Sequence, residues 1–217
     1  YTTAYRYFSD DRNTPEVERT VFDRLLVGMA STYPAPVSGY VTDSAAGATA
    51  LSTGTKTYNG AIAVDVDQKP VQTVLEWAKE HGMKTGIAVT SQINHATPAG
   101  YSAHNESRKN YNEIADSYFD RKVANKFVLD VMLGGGWEYF KRSDRDIVAQ
   151  FSGAGYEYVD KISDLKDTDV TKPLLGLFAD QGLNWALDMP DKQRLRTLTE
   201  SAVKHLENDK GFFLLVE

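Results

Sequence analysis

The chain has 217 residues, 41% of them hydrophobic and 25% charged, which is the composition of an ordinary globular protein with enough length to bury a sizeable core. Its 24 Lys and Arg against 30 Asp and Glu leave a net charge of −6, so there is no basic footprint for nucleic acid or an anionic membrane surface. No apolar run approaches the roughly 20 residues that span a bilayer, and the lack of cysteine excludes disulfides and thiolate zinc sites. The chain opens on Tyr1 with no signal peptide visible, so processing or trimming is expected.

The first informative stretch is 41–54, where Ser44 precedes the small residues Ala45, Ala46, Gly47 and Ala48. A serine at a helix start meets unpaired backbone N–H groups and the positive end of the helix dipole, a position that suits phosphate. Taken alone, the stretch reads first as a small-residue helix packed tightly on a sheet, with Ser44 as its N-cap; an anion site is the alternative. A lipase-type elbow is excluded, because Thr42 and Ala46 fill its glycine places. A phosphate-binding Walker loop is excluded too, since Thr55 intrudes between Gly54 and Lys56.

Further along, Val71, Val74, Leu75 and Ala78 predict one face of a helix that stops at Gly82. The apolar run 85–90 predicts a buried strand, and 130–133 predicts another before Gly134, Gly135 and Gly136. Those glycines read as a tight strand exit, with close approach to a phosphate left open. Ser143 is positioned to cap a helix over 144–151, followed by an extended segment at 156–159. Leu195, Leu198, Ala202 and Leu206 line one side of a later helix, and 212–216 predicts a final buried strand. His81, His104 and His205 read as structural or solvated, and Trp77, Trp137 and Trp185 as packing residues. Helices alternating with continuous apolar strands predict an α/β fold, with a largely parallel sheet covered by helices on both faces. Such sheets bind ligands beyond the carboxyl ends of their strands. Ser44 follows Tyr40-Val41, His95 and Thr97 follow the 85–90 strand, and Glu217 sits at the exit of the last one. These candidate residues are therefore expected to share one edge.

The residues also carry a family resemblance. Asp43-Ser44-Ala45-Ala46-Gly47-Ala48-Thr49-Ala50, continued by 52–60, is similar to the nucleophile region of alkaline phosphatases. His95-Ala96-Thr97-Pro98-Ala99-Gly100 with Arg108, the glycines 134–136, and 211–217 ending in Glu217 agree in order and separation. The resemblance covers nearly the whole chain and implies an alkaline-phosphatase-like fold. It implies hydrolysis of phosphate monoesters through a covalent phosphoserine at Ser44, releasing alcohol and inorganic phosphate. It further implies two Zn²⁺ and one Mg²⁺, with Ser44 meeting zinc and with Thr97 and Glu217 binding magnesium. His95 would hold a magnesium-bound water or the phosphate by hydrogen bonds, or bind metal directly if the third site takes zinc. Arg108 would clamp two phosphate oxygens, a task suited to its planar fork of donors. Without the resemblance, Arg108 reads as a solvated charge in a polar run. Asp43 would orient Arg108 or brace its loop, with a plain N-cap role equally open. Ala179 stands where animal members carry a calcium-binding acid, so calcium is not expected.

By the same resemblance, residues 1–217 would be the middle of a single longer catalytic domain. The N-terminal strand, with its aspartate-bearing turn, and the C-terminal half, with most zinc ligands, would lie outside it. Alone, the segment is expected to lack zinc and to be inactive. A homodimer in the periplasm or outside the cell is the family pattern. The alternatives are a related metal-dependent phosphodiesterase or phosphotransferase, or a non-catalytic phosphate-binding fragment.

Overall fold

The computed structural model describes Arg6, Tyr7 and residues 10–217. Two compact units divide the chain, Tyr1–Ser31 and Thr32–Glu217. In the first, the short helix α1 (Val21–Leu25) starts at Thr20, whose hydroxyl accepts the Asp23 N–H while the Asp23 carboxylate accepts the Thr20 N–H. This reciprocal cap satisfies two helix-end donors. Hydrogen bonds from Arg6 and then from Thr20 hold the Asp23 carboxyl down at about 2.

The second unit is built on a parallel sheet. Its strands are β1 (Lys84–Gln92), β4 (Val131–Gly135), β5 (Glu157–Val159), β6 (Leu174–Leu177) and β7 (Phe212–Val216), in the order β5-β6-β4-β1-β7. All four pairings are parallel. A separate antiparallel pair joins β2 (Lys122–Val123) to β3 (Lys126–Phe127). The helices are α2 (Ser44–Thr53), α3 (Val74–Glu80), α4 (Ala96–Ser102), α5 (Tyr111–Asp120), α6 (Trp137–Phe140), α7 (Ile147–Gly153) and α8 (Arg194–Leu206).

Alternation along the strands feeds two cores, which is why the strands read as continuous apolar runs. Ile87, Val89, Met132 and Leu175 join Ala96, Ala99, Ile114, Phe140 and Phe151 on one face. Ala88, Val131, Leu133 and Leu174 meet Leu198, Ala202 and Leu206 of α8 on the other. The α/β class, the parallel sheet and the helices on both faces are therefore as the sequence predicts.

Several local expectations are corrected. The helix expected from Val71 starts at Val74, because Thr73 and Glu76 form a reciprocal cap there. Val71 instead donates its N–H to the Ala63 carbonyl. Helix α7 starts at Ile147, since Asp146 rather than Ser143 accepts the Ala149 N–H. Strand β4 runs on through Gly134 and Gly135. A Cβ on Gly135 would lie 1.6 Å from the Gln181 carbonyl oxygen, so only glycine lets the two backbones pass. Trp185 is 82% exposed and is no packing residue. Tyr40 and Val41 form no strand and lie exposed.

Tyr118 is buried between α5 and the sheet's end, donating to the Ile93 carbonyl (2.7 Å) and accepting from Ser102 Oγ (2.8 Å). Burial pushes its phenol well above the usual tyrosine value, and does the same to Tyr156. The unfolded chain releases these protons from about pH 10 while the folded chain retains them. Their stabilising effect is thus full below about pH 10 and is lost as pH rises above it, by up to about 1.4 kcal/mol per pH unit for each tyrosine. Urea unfolding on either side of that pH should show the loss, and Tyr118→Phe should flatten it. An unchanged slope in the variant would remove Tyr118 from the explanation.

Candidate active site

Helix α2 begins where it does because Asp43, in extended backbone (φ −93°, ψ 179°), caps it: Asp43 Oδ1 accepts the Ala46 N–H at 2.9 Å. Asp43 is therefore the N-cap, and Ser44, expected in that role, is the first helical residue. The helix closes at Gly54, whose left-handed φ of +72° suits glycine and whose N–H reaches the Ala50 carbonyl. Ser44 is exposed while Ala45, Ala46, Gly47, Ala48 and Thr49 are buried beneath it. Its hydroxyl has no hydrogen-bond partner among the described residues. An exposed, uncommitted hydroxyl on the first turn of a helix is placed for an anion or electrophile.

Small residues carry α2 onto α4. Ser52 Oγ donates to the Gly100 carbonyl at 2.6 Å, and Thr49 Oγ1 accepts the Ala63 N–H at 2.9 Å. A Cβ on Gly100 would lie 2.9 Å from Ala48 Cβ, which is fixed to backbone and cannot swing aside. Gly100→Ala is expected to push the helices apart at a cost of about 1–3 kcal/mol. At about 2–4 °C per kcal/mol for a chain of this size, a melting curve resolves it. A melting temperature equal to that of the unsubstituted protein would show the packing to be slack.

Arg108 links the elements. Its backbone N–H donates to the Gly60 carbonyl at 2.7 Å, anchoring its loop on the turn that follows α2. Its guanidinium divides between two partners: Nη1 donates to Asp43 Oδ2 (3.2 Å) and Nη2 to His95 Nε2 (3.2 Å). Asp43 thus caps the helix with one oxygen and holds Arg108 with the other, so the two roles left open by the sequence coexist. Asn59 completes the clasp, accepting the Asp43 N–H (3.0 Å) and donating to the Val41 carbonyl (2.9 Å).

His95 caps α4 by its backbone position, without a side-chain cap bond. Desolvation, reinforced by the Arg108 charge, pulls its pKa below the ordinary histidine value, against an opposing pull from Glu217. The neutral ring follows, and the bond received from Arg108 at Nε2 puts the ring proton on Nδ1. Nδ1 is buried and finds no partner among the described residues.

Glu217 ends β7 at the same sheet edge. Its backbone pairs with Ala88 (3.1 Å) and Thr90 (2.9 Å), and its Oε2 accepts from Ser91 Oγ at 2.8 Å. Thr97 lies half-buried in the first turn of α4. The shared edge expected for His95, Thr97 and Glu217 is present. Ser44 joins its group through α2 packing on α4 and through Asp43, Arg108 and His95, rather than by following a strand. The carboxylate of Glu217 and the hydroxyl of Thr97 are hard oxygen donors of the kind magnesium takes, with waters completing its shell. Zinc fares differently. Among the described residues no three His, Cys, Asp or Glu side chains are grouped as a metal site requires, so these residues alone do not fit two zinc ions.

The other histidines are committed elsewhere. His104 spans the Ala63 carbonyl (2.7 Å) and Glu76 (3.0 Å), and His205 spans the Lys172 carbonyl (3.1 Å) and Thr168 (2.9 Å). His81 stacks on Trp77. Sequence reasoning missed Asn59 and Ser91; an Asn before Gly60 at a tight turn was the one available signal for the first.

The chain is similar to known proteins over its whole length. Residues 1–217 match the family model described as Alkaline phosphatase. Alkaline phosphatase 3 of Bacillus subtilis is 53% identical over 220 residues, covering 100% of this chain and 47% of that protein. The chain spans about half the length of the curated relatives it matches. The crystal structure of a cold-active alkaline phosphatase from a psychrophilic Shewanella superposes with a TM-score of 0.88 at 52% identity, over 100% of this chain and 52% of that one. A mutant TAB5 alkaline phosphatase described with Mg bound in its M3 site gives 0.72 at 32% identity, over 85% of this chain and 52% of its own.

Proposed function

The chain belongs to the alkaline phosphatase family, and from that premise we propose that the protein hydrolyses phosphate monoesters through a phosphoserine at Ser44. The observation that carries the reading is the bonded series Asp43–Arg108–His95 beside the uncommitted Ser44 hydroxyl. Phosphoryl transfer passes through a loose transition state, so catalysis is mostly positioning and charge neutralisation. Arg108 uses one N–H of each terminal nitrogen to hold its place. The second hydrogen on each remains for two phosphate oxygens. Ser44 Oγ gives up its proton and bonds to phosphorus as the ester P–O bond breaks, and the leaving oxygen takes up a proton and departs as the alcohol. Water then attacks the phosphoserine, releasing inorganic phosphate and restoring the hydroxyl. Helix α2 contributes its unpaired first-turn N–H groups and dipole at the point where negative charge gathers.

Thr97 and Glu217 would hold magnesium, which when bound supplies positive charge at the phosphate end of the site. His95 Nε2 is already occupied by Arg108, which supports a hydrogen-bonding role for this ring rather than direct metal ligation. Ser44 would meet zinc in the family reading, and the other zinc ligands would come from outside these residues. On that reading 1–217 is the middle of a longer catalytic domain and is inactive alone. Homodimerisation and a periplasmic or secreted location rest on the family likeness.

The test is intact-protein mass after incubation of the complete protein with inorganic phosphate, zinc and magnesium at mildly acidic pH. A single HPO₃ adduct mapped to Ser44, with hydrolysis of a monoester and not of a diester, is the expected result. Hydrolysis of the diester instead would favour a phosphodiesterase. Phosphate binding without adduct or turnover would overturn the enzymatic reading.

A further inference from the structure

On the sheet face opposite α2 and α4, a cleft of about 640 Å³ separates α8 from the short helical segment Ile162–Asp167. That volume is in the range of small-molecule sites. One face of α8, carrying Arg194, Ser201 and Lys204, lines it; Ile162, Leu165 and Met189 supply apolar wall. Arg194 is only 8% exposed, yet its side chain has one hydrogen bond, to the Asn184 carbonyl at 2.7 Å, and no carboxylate partner among the described residues. A buried guanidinium without an anion is costly, because little protein or solvent dipole replaces its hydration. Ser201 is likewise 8% exposed, and its Oγ has no partner among the described residues. The two nearby acids are engaged elsewhere: Glu200 with Arg196 at 2.7 Å, and Asp191 with the Gln193 N–H at 2.8 Å.

The geometry points to a binding site for a small organic acid with an apolar body and a second polar group. Its anionic head pairs with Arg194, its body lies along Ile162, Leu165 and Met189, and its distal oxygen draws on Ser201, whose Oγ is enclosed in the free chain and turns outward to meet it. The seven residues from Arg194 to Ser201 rise roughly 10 Å along the helix and place both on one face two turns apart, so an elongated ligand is required to engage both. Nothing in this site depends on Ser44 or on phosphoryl chemistry.

The test uses 8-hydroxyoctanoate, octanoate and 1,8-octanediol, titrated calorimetrically against the complete protein. The hydroxy acid should bind once per chain, octanoate severalfold more weakly, and the diol at least about tenfold more weakly for want of the charge-assisted pair. Ser201→Ala should erase the advantage of the hydroxy acid over octanoate while leaving octanoate binding unchanged. Arg194→Gln should weaken both acids by about tenfold or more. If that variant fails to fold, the Ser201→Ala comparison decides alone. No saturable binding of either acid, equal binding of the diol, or an undiminished difference in Ser201→Ala would each overturn the proposal. So would displacement of the acid by inorganic phosphate together with loss of binding in Ser44→Ala, which would place the acid at the phosphate site.

Discussion

Replacing Ser44 with alanine is expected to lower phosphate-monoester turnover by about four orders of magnitude or more and to abolish the phosphoprotein adduct, while leaving the fold intact. The size follows from the role. A nucleophile divides one difficult displacement into two easier ones, and no neighbouring group can take its place: Thr42 donates its hydroxyl to the Asp43 carbonyl at 3.0 Å, and Thr49 lies buried beneath the helix. Stability should change little, since Ser44 is exposed, its hydroxyl bonds nothing among the described residues, and alanine is a better helix former. The comparison is turnover and intact mass for the two proteins, with urea midpoints as the control for folding. Turnover within tenfold of the parent, or an adduct that persists, would move the covalent step to another residue.

How much of this was legible in the sequence differs by element. The alternation of apolar runs and helical faces reports burial, and burial builds the sheet, so the strand at Lys84–Gln92 and helix Arg194–Leu206 were readable almost to their ends. Phe212–Val216 is a strand as expected, but it lies at the sheet edge and is half-exposed rather than buried, with Phe212 39% and Val216 43% exposed. Caps are local too, but several residues compete for them. Asp43 took the place expected of Ser44, and Asp146 that of Ser143, because a carboxylate one residue earlier or three residues later accepted the N–H three positions beyond itself and set the helix start there. Tyr40-Val41 misled because two apolar residues carry no period: both lie exposed, and the route of Ser44 to the site runs through Gly100 and Ala48 instead. The polar series is hardest to foresee. Asp43 and Arg108 are 65 residues apart and Arg108 and His95 are 13, so no spacing rule within one element joins them. Only the family resemblance brought those three residues together before the fold did. The Arg194–Ser201 cleft gave no signal, since its meaning lies in missing partners, and those are visible only in three dimensions.

Arg108 carries the second large expectation. Arg108→Ala should cost about 10²–10³ in kcat/KM, the range found when one preorganised charge-stabilising donor is removed. Arg108→Lys should recover little, because a point charge on a flexible stem cannot present two parallel N–H groups while also holding Asp43 and His95. The Asp43–Arg108 pair is partly exposed, with side-chain accessibilities of 27% and 22%, so its contribution to stability is small. Its value is the aim of the guanidinium. Asp43→Ala is therefore expected to do two separable things. It removes the helix cap, at about 0.5–2 kcal/mol of stability, and it frees Arg108, raising KM for the ester. In an Arg108→Ala background the first loss should persist and the second should vanish, because there is no longer a guanidinium to aim. Urea midpoints and steady-state kinetics on the four proteins of this cycle make the distinction. Additive losses in kcat/KM would mean that Asp43 acts on the reaction by some route other than Arg108, and would leave it as a helix cap with an incidental ion pair.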